Sequence, residues 1–252
     1  MPVEEPPNEE TLRRLIDEAR AAGSDTVRVE VSRDAAPAWA RAGFSETARV
    51  VEARVEGLES RLAGYGGRSF GSVHVQTDDL DAVVRAVQQF VPRMPGSSKG
   101  SAVTPPRNGW VAVYDELTDR DPEMLRRLAR ELSDRMGAVV LLLGVEEEQV
   151  VRFVLFERGR VMDEYLSVPQ FHGELPPGDV ISLAANPTVV ARLTGADPAA
   201  VRGVIRTADR PEDLSPAPQL IGEIAEVLGV EGAGHGYAGA SDEPGSIAVA
   251  RE

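Results

Sequence analysis

The chain has 252 residues, 41 acidic and 27 basic, for a formal charge of −14. That length allows one large domain or two small ones. The acidic excess is spread along the chain, which argues against the cationic patch that nucleic acid or an anionic membrane requires. Cysteine is absent, so disulfides, thiolate metal sites and a cysteine nucleophile are excluded and a reducing compartment fits. No signal-peptide pattern opens the chain, and the longest apolar run, residues 138–145, is too short to span a bilayer, so the expected location is cytoplasmic.

In chain order, Asn8 is placed to cap a helix whose apolar positions Leu12, Leu15, Ile16 and Ala19 keep helical spacing, and Gly23 ends it. Residues 26–31 alternate Val27, Val29 and Val31 against Arg28 and Glu30, the period of a half-buried strand. A short helical turn over residues 35–42 closes at Gly43, and residues 47–55 form a second strand. Two strands bury too little to stand alone, so they are expected to extend a neighbouring sheet or to pair with another copy. Residues 62–71 carry four glycines, which marks a linker over residues 63–68.

The second region repeats a strand-then-helix pattern. Residues 69–76 read as a strand, and Asp78 is placed to cap a helix with Leu80, Val83, Val84, Val87, Phe90 and Val91 on one face. After a Gly/Pro/Ser loop over residues 92–109, of which 96–101 are expected to be mobile, residues 110–114 form a strand. Asp121-Pro122 then opens a helix striped by Leu125, Leu128, Leu132 and Met136. The run 138–145 is apolar on both faces and reads as a central strand, followed by strands over 150–156 and 161–166. Residues 176–231 show short helical patterns broken by prolines. Within them, two segments flank Gly195 like a helix-turn-helix, and Leu220, Ile221, Ile224, Ala225 and Leu228 form the clearest stripe. Residues 232–252 have little to bury and are expected to form a mobile tail. The fold class is α/β (α+β): an N-terminal unit over 1–62, a mixed-sheet β-α-β-α-β-β-β domain over 68–175, a helical appendage over 176–231 and the tail.

Residues 12–62 resemble the C-terminal half of the GNAT superfamily of N-acetyltransferases. The resemblance rests on Gly43-Phe44 after the strand 26–31, with Ala35 at the family's alanine, Ser32 where it has asparagine and Trp39 where it has tyrosine. It implies a partial GNAT-like unit and an acetyl-CoA-related ancestry. In that family the cofactor pyrophosphate sits on a Gln/Arg-x-x-Gly-x-Gly/Ala loop that opens the helix corresponding to residues 8–22. The preceding residues 1–7 hold no glycine and two glutamates, so that loop is missing. Trp39 also lacks the phenol that protonates the leaving thiolate in many members. Arg61, Gly64 and Gly66 fit the loop by letter, but a strand rather than a helix follows them.

Four acidic or polar residues that follow strand ends, Thr77, Asp78, Asp115 and Glu116, would gather at one edge if their strands were parallel neighbours. They would then form an acidic crevice suited to a cation or an amine. Helix capping is the alternative role for such aspartates. His74, His172 and His235 are isolated in sequence, so no metal site is expected. The expected function is a cytosolic GNAT-related binding or regulatory module without a cofactor and with a protein partner or homo-oligomer, binding neither nucleic acid nor membrane. The alternative is an N-acetyltransferase whose acetyl-CoA site is completed by the second domain or a partner chain.

Overall fold

The computed structural model describes residues 8–30, 36–42, 44–47, 50–54, 67–95, 98–241 and 243–250. The chain divides into two compact units, Met1–Arg68 and Ser69–Glu252. In the first, helix α1 (Glu9–Ala21) begins where Asn8 Oδ1 accepts the Thr11 N–H at 2.8 Å. Its stripe Leu12, Ile16 and Ala19 is buried. Strand β1 (Thr26–Glu30), helix α2 (Ala36–Arg41), β2 (Ser45–Thr47) and β3 (Val50–Arg54) follow. The strands form an antiparallel sheet in the order β1-β3-β2, with Thr26 opposite Arg54 and Ser45 opposite Glu52. One expected strand is therefore two, and this sheet is separate from that of the second unit rather than an extension of it. Leu12, Ile16, Val27, Val29, Trp39, Ala42 and Phe44 form its core.

The second unit is built on β4 (Gly67–Gln76), α3 (Leu80–Phe90), β5 (Ser101–Val103), β6 (Trp110–Asp115), α4 (Pro122–Met136), β7 (Val139–Glu147), β8 (Val150–Glu157) and β9 (Arg160–Leu166). Together with β10 (Ile247–Val249) these strands form a seven-stranded sheet in the order β10-β5-β6-β4-β7-β8-β9. Each β-α-β passage skips one strand: β6 lies between β4 and β5, and β4 lies between β6 and β7. This is the split β-α-β arrangement. Helices α3 and α4 cover one face, packing Val87, Phe90, Leu128 and Leu132 on Val73, Val113, Val140 and Leu142.

The α/β class holds, but the sheet is antiparallel rather than mixed. The reason lies in residues 92–109, expected to be a loop without a strand. Ser101–Val103 form β5 there, and Asn108 (φ 52°) and Gly109 (φ 79°) make the left-handed two-residue turn that closes a tight hairpin. Arg107 and Trp110 exchange both backbone hydrogen bonds across it, at 2.8 and 2.9 Å. That hairpin reverses β6 relative to β5, so β6 runs antiparallel to β4.

The helical segment comprises α5 (Pro177–Ser182), α6 (Pro187–Thr194), α7 (Pro198–Val204) and α8 (Ala217–Leu228). Helices α6, α7 and α8 bury Val190, Val201, Leu220, Ile221 and Ile224 on the sheet's second face, against Leu141, Leu143, Phe153 and Tyr165. With both faces covered, the uniformly apolar run of β7 is accounted for. The expected mobile tail is instead folded onto the sheet. It holds α9 (Tyr237–Ser241) and β10, which pairs with β5 through Ile247 and Val103. No helix among the described residues is long and apolar enough to cross a membrane.

Candidate functional site

The four residues of the expected acidic crevice are not brought together. Because β4 and β6 are antiparallel, Gln76 lies opposite Trp110 at one end of the pair, while Asp115 ends β6 at the other, opposite Ser101. Thr77 and Asp78 therefore flank the start of β6. Thr77 Oγ1 accepts the Asp79 N–H at 3.1 Å, and Asp79 rather than Asp78 caps α3 by accepting the Ala82 N–H at 2.9 Å. Asp115 is wholly buried and satisfied by the hydroxyls of Ser98 (2.9 Å) and Ser101 (2.7 Å) and the Leu117 N–H (2.9 Å). Glu116 accepts the Lys99 N–H at 3.1 Å and pairs with Arg120 at 3.2 Å. Three of these serve as local staples of loops and helix starts, and Asp78 caps nothing through its side chain.

Trp39 is fully buried and meets Phe44 edge to face at 5.0 Å, which makes it a core residue of the first unit. Arg61, Gly64 and Gly66, like Ser32, Ala35 and Gly43, lie outside the described residues.

A different set converges at the rim of the seven-stranded sheet. Ser69, Phe70, Thr118, Asp119, Leu125, Leu142, Gly144, Glu146 and Arg152 are among the residues around a small hollow. Glycine makes the space. A Cβ at Gly71 would stand 2.3 Å from the Leu125 side chain, and Gly144, which packs beside Phe70 O and Leu125, leaves room opposite Arg152 in the β7–β8 ladder. The Arg152 guanidinium crosses that room and donates from Nε to Glu146 at 2.6 Å and from Nη1 to Glu164 at 3.0 Å. Arg126 of α4 binds Glu164 with both Nη atoms, at 2.7 and 2.9 Å, and His172 Nε2 meets the other Glu146 oxygen at 2.5 Å. The result is one chain of charge, His172–Glu146–Arg152–Glu164–Arg126.

The two carboxyls that line the hollow are shifted in opposite directions. Burial pushes Asp119 up, and the nearby Asp115 and Glu116 charges add to that. The N–H groups of Gly71 (3.2 Å) and Tyr237 (2.9 Å) oppose it without cancelling it. Burial alone would also raise Glu146, but the charge and hydrogen bond of Arg152, with His172, outweigh it and hold Glu146 below the usual range. Carboxyls whose environments push them apart in this way are the usual mark of groups with different chemical tasks.

Local sequence singles out neither carboxyl: Asp119 is one of several acids after β6, and Glu146 follows the apolar run of β7. The signal for the site was the pair of glycines inside strands, Gly71 and Gly144, which mark a close approach.

A second polar group lies beneath the tail. His74 is fully buried, bonded through Nε2 to Ser72 Oγ at 2.8 Å, and Tyr114 stacks on His235 with centroids 5.1 Å apart. Tyr114 OH donates to the Gly232 carbonyl at 2.9 Å, so this edge of the sheet carries the start of the tail. Among the described residues no group of three or more histidine, aspartate or glutamate side chains is arranged to hold a metal ion. No family model, no curated protein and no solved structure matches the chain.

Proposed function

We propose that the chain is a non-catalytic binding module of the cytosol, related to the N-acetyltransferase superfamily through residues 12–62 but without an acetyl-CoA site of its own. Its ligand contact is the hollow between Asp119 and Glu146. The observation that carries the reading is the charge balance there. Among the described residues Glu146 and Glu164 meet Arg126, Arg152 and the His172 imidazole, whereas Asp119 has neutral N–H donors but no cation among its hydrogen-bond partners. An ammonium entering beside Phe70, Leu125 and Leu142 would supply a cation to Asp119 and pull its raised pKa back down. The ligand class is a small primary amine on a short apolar body.

Two features of the first unit support the absence of a cofactor site. The N-terminus of α1, where the superfamily seats pyrophosphate, is already capped by Asn8 and carries Glu9 and Glu10 in its first turn. Trp39, at the position of the proton-donating tyrosine, is sealed in the core.

Thermal-shift and calorimetric titrations with n-butylamine, 1-butanol and butyrate test the amine reading. Only the amine should stabilise the protein, and Asp119→Asn should abolish the effect. Equal responses to amine and alcohol would refute it. The rival function, an N-acetyltransferase completed by the second unit or a partner chain, is tested by titrating acetyl-CoA. Binding tighter than about 100 μM, about 5.5 kcal/mol, would establish a cofactor site and overturn the non-catalytic reading.

A further inference from the structure

Arg127 and Arg130 of α4 and Arg158 and Arg160 of the β8–β9 turn line an open groove. All four are exposed. None forms an ion pair with a described residue, although the chain carries a net charge of −14 and could have supplied partners. The two carboxylates in the groove are Glu131, which is occupied by Arg135 at 2.5 Å, and Asp134, which lies under the turn. Four cations therefore face two carboxylates in one concave surface, a mutual repulsion that a bound anion would relieve.

The groove is also held in place. The Gly159 N–H donates to Ser133 Oγ at 3.2 Å, and that hydroxyl donates to the Ala138 carbonyl at 2.9 Å, so the turn is pinned to α4. A Cβ at residue 159 would lie 2.9 Å from that of Asp134, so glycine is needed for this approach. Arg158 is itself in the left-handed region at φ 51°, where asparagine or glycine is favoured. Arg127 is steadied over the Phe90 ring at 5.9 Å.

No apolar side chain lines the groove, so it offers no anchor for a peptide, whereas planar guanidinium forks match phosphate oxygens two at a time. We propose that this groove, separate from the Asp119–Glu146 hollow, binds a small multiply charged anion of the oligophosphate class, either free or as the phosphate tail of a nucleotide.

Calorimetric titration of the full chain with sodium tripolyphosphate at low salt should show one site whose affinity falls as salt screens the arginines. Arg130→Gln/Arg158→Gln should weaken it by roughly tenfold or more, and so should the helix-only pair Arg127→Gln/Arg130→Gln, which leaves the turn intact. Arg202→Gln, an exposed arginine on α7, should leave it unchanged. Adenosine triphosphate, adenosine and tripolyphosphate compared in parallel separate the two sources. Tighter binding of the nucleotide assigns the phosphate tail, and equal binding with no response to adenosine assigns the free anion. Absence of tripolyphosphate binding at low salt, or wild-type affinity in both double variants, would overturn the proposal.

Discussion

His74 stands inside β4 at 0 % exposure, with Ser72 as its hydrogen-bond partner and its Nδ1 unpartnered among the described residues. Burial, reinforced by the nearby His235, drives its pKa from 6.5 down to about 3. Because the folded value lies below the unfolded one, the folded state holds the imidazole neutral. Its contribution is present above pH 6.5 and is lost as pH falls toward 3, at about 1.4 kcal/mol per pH unit. Glu146 is also depressed, so its contribution is lost only as pH drops below about 4.5, while Asp119 is raised and acts in the opposite sense. Between pH 6.5 and 5 the slope therefore belongs mainly to His74. Urea denaturation across that range should steepen for the wild type and flatten for His74→Gln, and identical slopes would refute the assignment. Arg152 supplies a second case. Replacing it with methionine takes one partner from the mostly buried Glu146 and Glu164, leaving them only His172 and Arg126, and should cost about 2–3 kcal/mol by urea denaturation. Arg13→Ala, which breaks the exposed Glu9 pair, should cost under about 0.5 kcal/mol by the same measurement.

The hairpin joining β7 to β8 turns through Glu147 (φ 54°) and Glu148 (φ 57°), both in the region that favours asparagine and glycine. The Glu147 N–H is held by Ser69 Oγ at 3.0 Å, which ties the strained turn to the start of β4 beside the candidate hollow. Glu147→Asn/Glu148→Gly keeps that hydrogen bond and removes the strain, so the double variant should be more stable by about 1 kcal/mol in chemical denaturation. An unchanged or lowered midpoint would show that the glutamate side chains repay the strain through contacts of their own. The Asn108-Gly109 turn of the β5–β6 hairpin has the same geometry with the favoured residues in place. That turn, more than any strand propensity, sets the direction of β6.

The first unit gathers Leu12, Ile16, Val27, Val29, Trp39, Ala42 and Phe44 around three strands and α1. Three strands packed on a helix meet the usual threshold for independent stability, which the two strands read from the sequence would not. Residues 1–68 expressed alone should therefore unfold cooperatively. Trp39, the only tryptophan of this unit, reports on it: its emission should be blue-shifted when folded and move to the red in one sigmoidal urea transition. Trp39→Ala, which removes the largest core side chain, should abolish the transition, since such truncations cost about 3–5 kcal/mol. A broad, non-cooperative change in the wild-type fragment would mean that the unit depends on the rest of the chain.

Local pattern alone determined the longer helices and most strands of this protein. The stripes Leu12–Ile16–Ala19 and Leu125–Leu128–Leu132, the caps Asn8 and Asp121, and the doubly apolar run of β7 all follow from periodicity and hydrogen-bonding capacity within a few residues. Tertiary structure decided what those elements face. The three-residue strands β2, β5 and β10 are too short to carry a period of their own and exist only through pairing with β3 and β6 or, for β10, with β5. Strand direction, set by the short β5 and its turn, separated Asp78 from Asp115. It also brought Asp119 and Glu146, 27 positions apart, to one hollow. A site made by long-range register leaves no local spacing to read, and its only traces in the sequence are the glycines 71 and 144 that let the backbone and side chains approach.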